Sequence, residues 1–144
     1  MASGFGYQLE EARKLTPGEP SALGPPLVLE RGKLVEITVD NQLRQSTSVH
    51  WHGMELESYY DGVPGWGANG KELTPVIKPR ESFLVRFTPP RAGTFIHLND
   101  EAQISGGLYG PLVVVEPGKK FDPTRDFIFV RAAVDVRDWK GRCS

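Results

Sequence analysis

Cysteine is almost missing from this sequence: among 144 residues there is only Cys143, the penultimate one. A single thiol excludes an internal disulfide and every cysteine-rich zinc or iron–sulfur site, and it leaves the redox compartment open. Histidine is scarce as well, so imidazole chemistry rests on 3 residues, His50, His52 and His97. Neither sign of charge dominates, since 17 Lys and Arg stand against 18 Asp and Glu for a formal net charge of −1. That balance gives no electrostatic footprint for nucleic acid or an anionic membrane surface as a partner. No apolar run approaches the ~20 residues of a membrane span. Met1 to Gly4 carries neither the basic region nor the apolar stretch of a secretion signal, so the start reads as cytosolic or as a chain whose leader has been removed. Two enzyme signatures are also wanting. The glycines of Gly65–Gly70 are followed by no Lys-Ser/Thr pair, and no Gly-x-Ser-x-Gly elbow occurs.

What the chain does have is turns, with 16 Gly and 12 Pro, and an apolar share of 39%, enough for the core of one domain. Short β-type runs lie between the turn signals. Pro26–Glu30 is the first, and in Leu34–Asp40 the residues Val35, Ile37 and Val39 alternate with Glu36, Thr38 and Asp40 as in a half-buried strand. Thr47–His52 follows, then a glycine-punctuated loop from Glu57 to Pro75. Ser82–Thr88, Thr94–Leu98, Pro111–Glu116 and Asp126–Arg131 complete the set. With no long segment of helical period, the expectation is an all-β antiparallel sandwich. Its core domain is expected over 24–131, behind an N-terminal lead-in over 1–23 and ahead of a polar tail over 132–144. The lead-in reads either as a short helix from Gln8 to Leu15 or as a strand from Gly6 to Leu9.

His50 and His52 flank Trp51. On a strand, positions i and i+2 share a face with backbones about 6–7 Å apart, near enough to chelate one ion or to serve two neighbouring ions. Trp51 is then expected to fill the core from the other face. His97 falls on the predicted strand Thr94–Leu98, on one face with Phe95 and Asn99. Imidazole suits copper, zinc, iron or nickel, and three such ligands with an open position would also make a zinc site. A His-x-His pair by itself more often hydrogen-bonds locally at a strand end. Asp61-Gly62 reads first as turn chemistry.

The wider sequence around the pair is more specific. His50-Trp51-His52-Gly53, followed by Asp61-Gly62-Val63-Pro64-Gly65, resembles the first copper motif of the multicopper oxidases, the family of laccases and bilirubin oxidases. Leu29–Gly32 and Val35–Asn41 are similar to the strand pair before that motif. Pro89–Phe95 resembles the lead-in to a second His-x-His, and Gly107–Val114 the segment that closes the domain. The resemblance covers roughly residues 24–130. It implies a cupredoxin-like Greek-key sandwich with copper as the cofactor, zinc staying the lesser alternative from the histidine pattern alone. In such enzymes a type 1 copper takes electrons from substrate and passes them to a trinuclear cluster of one type 2 and two type 3 coppers, which reduces dioxygen to water. By the same resemblance His50 is a type 2 ligand and His52 a type 3 ligand, an acidic group near the cluster helps deliver protons, and the location is periplasmic or secreted.

The departures limit what the resemblance implies. The second motif in the family places histidines five and seven residues after its Gly; here Gly93 is followed by His97 at four and Asn99 at six. If three residues are missing, the account favoured by Asn99-Asp100-Glu101, His97 is the second histidine of the pair and a type 3 ligand. If one is missing, it is the first, and Asn99 stands for the second. Either loss is odd, and an odd slip turns every later side chain of a strand to the other face unless a bulge restores the register. The later copper motifs are absent, and Cys143 precedes no histidine and cannot be the type 1 thiolate in the family's arrangement. Two readings follow. The chain is a copper-binding part of a multicopper oxidase, supplying His50, His52 and His97 to a site that a complementary cupredoxin domain or subunit completes. Alternatively, it is a non-catalytic cupredoxin-like module serving assembly.

Overall fold

The structure is a computed structural model that describes residues 6–9, 23–99, 103–104 and 106–131. Six strands follow in order: β1 (Leu27–Glu30), β2 (Val35–Asp40), β3 (His50–His52), β4 (Ser82–Phe87), β5 (Gly93–Leu98) and β6 (Tyr109–Val115). They form a four-stranded sheet ordered β1-β6-β5-β3 and a two-stranded sheet of β2 and β4. β2 and β4 pair antiparallel over their whole length, Val35 opposite Phe87 and Asp40 opposite Ser82. Their alternation is the one legible in the sequence, with Ile37 and Val39 turned toward the core and Glu36, Thr38 and Asp40 exposed.

The two sheets close on one apolar cluster. Val49, Trp51, Phe95, Leu112 and Val114 meet Val85 and Phe87, and Leu27, Leu29, Ile37 and Val39 pack at its margin. Trp51, 1% exposed, lies at the centre with its ring 5.6 Å from that of Phe87 across the sandwich. A fully buried side chain such as Leu112 contributes on the order of 2 kcal/mol by leaving water.

Two expectations are corrected. The four-stranded sheet is mixed, because β1 runs parallel to β6, with Leu27 beside Leu112 and Glu30 beside Val115. Parallel neighbours need a long crossover, and here nearly the whole domain intervenes between them. Asp126–Arg131 joins no ladder among the described residues. Its Phe127 and Phe129 are 71% and 93% exposed, so the alternation there is not matched by a buried face, and a strand without a ladder partner has nothing to fix it. Ile128, Phe129 and Val130 line a shallow groove with Ile96, Pro111 and His52 on the outer face of the four-stranded sheet. Of the lead-in only residues 6–9 are described: Tyr7 makes a single β-bridge, Gln8 and Leu9 are not helical, and the rest of the Gln8–Leu15 helix alternative, the polar tail and Asp100-Glu101 lie outside the described residues.

Candidate metal centre

β3 is the edge strand of the four-stranded sheet, and its three residues divide by face. Trp51 points inward, so His50 and His52 project from the outer face, half-buried and exposed respectively. Their rings stand 5.5 Å apart between centroids at 72° to one another. After His52 the chain turns sharply at Gly53, with φ at 82°. Arg91 braces that turn: it donates to the Gly53 carbonyl at 2.6 Å, pairs with Glu55, and lies 4.6 Å over the Phe95 ring. Its hydrogen bond holds the Glu55 carboxyl below the usual range.

His50 is further fixed by the glycine-rich loop. Its Nδ1 lies 2.8 Å from the Asp61 carbonyl oxygen and 3.2 Å from Asp61 Oδ1. A carbonyl oxygen only accepts, so Nδ1 carries the proton and Nε2 keeps its lone pair. A metal-ligating histidine characteristically donates its other ring N–H in this way, which fixes the tautomer and raises the basicity of the ligating nitrogen. The donor set therefore suits copper or zinc as a two-imidazole contribution. Among the described residues no group of three or more His, Cys, Asp or Glu side chains is arranged to hold a metal ion.

Of the three histidines named from the sequence, the structure brings two together and separates the third. β5 pairs with β3 so that His97 stands opposite Trp51, while Leu98 and Ile96 stand opposite His50 and His52. No bulge interrupts β5, whose ladder with β6 is continuous from Gly93 to Leu98. His97 therefore shares the inward face with Phe95 and Asn99, and all three are buried. Its ring packs edge-on to Tyr7 at 4.9 Å and lies 5.9 Å from Trp51. A β-carbon on Gly110 would come within 2.5 Å of His97 Nε2, so only glycine leaves room for the imidazole there. Nε2 has no hydrogen-bond partner among the described residues, and burial pushes the pKa of His97 down to about 4. Asn99 donates to Thr47 Oγ1 at 2.6 Å and accepts from the Tyr7 hydroxyl, so it closes a core network and has no part in the outer-face site. Burial raises the pKa of that hydroxyl.

Met54, just after the Gly53 turn, is buried in the apolar cluster. What sequence reasoning missed is the part played by the Asp61 main chain. The Asp-Gly pair signalled a turn but not that the turn folds back onto His50.

The two-sheet β-sandwich with a His-x-His strand at the edge of one sheet is the arrangement expected of a cupredoxin-like domain, and comparison with known proteins gives that class. A profile of the family described as multicopper oxidase matches residues 8–119. The chain is 38% identical over 95 residues to Multicopper oxidase CTB12 of Cercospora beticola, which covers 64% of this chain and 14% of that protein. It is likewise 38% identical over 92 residues to a Copper resistance protein A homolog of Pseudomonas syringae pv. tomato, covering 63% and 15%. Among solved structures it superposes on a multi-copper oxidase from Pseudomonas thermotolerans with a TM-score of 0.61 at 31% identity, covering 72% of this chain and 24% of that one. This chain belongs to the multicopper oxidase family, whose members use copper. It spans only about 15% of the length of the curated relatives it matches.

Proposed function

We propose that this domain supplies His50 and His52 to a trinuclear copper site for dioxygen reduction, and that a complementary cupredoxin domain or subunit provides the remaining ligands. The observation that carries the reading is the 2.8 Å contact of His50 Nδ1 with the Asp61 carbonyl, which leaves Nε2 its lone pair, with the His52 ring 5.5 Å away. Copper bound there would supply one-electron redox chemistry toward dioxygen. The chain's own part is to present two imidazoles from a rigid strand, brace the turn after His52 through Arg91, and keep an acidic side chain, Asp61, beside His50. Two imidazoles leave at least two positions of a four-coordinate ion to be filled from elsewhere, which is why a partner is part of the proposal.

A second reading is favoured by His97. Because that imidazole is buried against Trp51, the domain offers one ligand fewer than its sequence suggests, and a cupredoxin-like module serving assembly without a working cluster fits a site so reduced. Copper loading of the chain beside its His50→Ala/His52→Ala variant separates the two. Binding lost in the variant supports the half-site. Absence of binding, with both proteins folded, supports the module.

A further inference from the structure

Gly62 is buried directly behind β3, with φ at 76°, a backbone state that glycine adopts without penalty. A β-carbon built on it would overlap the carbonyl oxygen and carbon of Val49 and come within 3.0 Å of the His50 backbone nitrogen. These are main-chain atoms at the entry to β3 and cannot swing aside. The loop therefore lies as close to β3 as it does only because residue 62 has no side chain. The Asp61 carbonyl, one residue earlier, is what that closeness delivers to His50 Nδ1 at 2.8 Å. The loop is anchored on both sides of the contact, through Asp61 N–H to the Ser58 carbonyl and Gly65 N–H to the Thr74 carbonyl. A side chain at residue 62 would therefore push the loop off β3 between these two anchors.

We propose that Gly62 is a positioning residue for the metal centre: its bare α-carbon against the Val49 carbonyl seats the Asp61 carbonyl on His50 Nδ1, fixing the Nδ1–H tautomer and presenting Nε2 to the metal. The inference rests on the copper reading above and adds to it a residue that touches neither metal nor imidazole. It assigns the control to the main-chain carbonyl of residue 61 ahead of its carboxylate, which is the more distant of the two at 3.2 Å.

Nitrogen-15 spectra of the histidine rings in the metal-free protein, recorded above pH 7.5, read the tautomer. In the wild-type chain His50 is expected to carry its proton on Nδ1, and in Asp61→Asn, which keeps the carbonyl, it should still do so. In Gly62→Ala the Nε2–H form should gain, and zinc and copper affinity, measured by competition with a chromophoric chelator, should fall about 10- to 100-fold with His50 and His52 in place. A folded Gly62→Ala with unchanged tautomer and affinity overturns the proposal, as does loss of the Nδ1–H form in Asp61→Asn. If Gly62→Ala does not fold, the wild-type spectrum decides: an Nε2–H His50 overturns the proposal and an Nδ1–H His50 supports it. Wild-type chain that shows Nδ1–H but binds no copper refutes the half-site and leaves the tautomer control standing. Copper bound through an Nε2–H His50 does the reverse.

Discussion

At the scale of single residues, His97 is the side chain whose behaviour the fold most changes. It is neutral in the core with a pKa of about 4, below the 6.5 of a free imidazole, because burial penalises the charged ring. In the unfolded chain it protonates near 6.5, so below that pH the unfolded state binds a proton that the native state refuses. Its contribution is therefore constant above about pH 6.5 and is lost as pH falls toward 4, by about 3 kcal/mol over the whole interval. Urea unfolding between pH 7.5 and 4.5 should show this decline, and His97→Gln should flatten it in comparison with the wild-type curve. Gly110 supplies a second test. Alanine there places a methyl 2.5 Å from His97 Nε2 and should lower stability by about 1–3 kcal/mol, measured by urea midpoint. The alternation of His50, Trp51 and His52 was readable from period two alone, since a strand with one inward tryptophan has its neighbours outward. Asp61 was not so readable, because what matters there is a main-chain oxygen brought in by loop packing, and main-chain atoms leave no mark in residue types.

At the scale of the strand, β5 shows what an odd change of length does. Its register with β3 is unbroken, so His97 occupies the inward slot opposite Trp51 and Leu98 the outward slot opposite His50. The sequence carried this consequence in the spacing after Gly93. The polar ring is accepted inward because Gly110 on the neighbouring β6 and Gly24 ahead of β1 leave room for it. A single valine inserted between Ile96 and His97 should take the inward slot and move His97 outward beside His50. Zinc affinity should then rise by roughly tenfold or more, as a third imidazole joins the pair. An insertion variant that folds with no gain in affinity would contradict the assignment of faces. The parallel β1–β6 pair and the unpaired Asp126–Arg131 segment were less legible. Strand pairing depends on which neighbour the fold brings alongside, and a short alternating run looks the same in a central strand, an edge strand or an extended loop. The pattern of short strands with no long segment of helical period still identified the β-sandwich, because the six strands of the described residues all lie within the predicted runs or one or two residues beyond them.

At the scale of the whole molecule, the site faces outward. His50 and His52 lie on the same outer sheet surface as Ile96 and Pro111, next to a segment whose Phe129 is 93% exposed. Exposed apolar surface beside the two imidazoles is what the proposed partner domain would cover. Copper-loaded chain alone should consume no dioxygen beyond the rate of free copper, and consumption should arise when a complementary cupredoxin domain is added; a chain that reduces dioxygen by itself would contradict the proposed division of the site. The central claim is tested most directly by copper bound per chain, determined by elemental analysis after copper loading and desalting, with zinc as competitor and the His50→Ala/His52→Ala variant alongside. The account predicts near-stoichiometric copper in the wild-type chain and none retained by the folded double variant. Equal copper in both, or none in either, would contradict it.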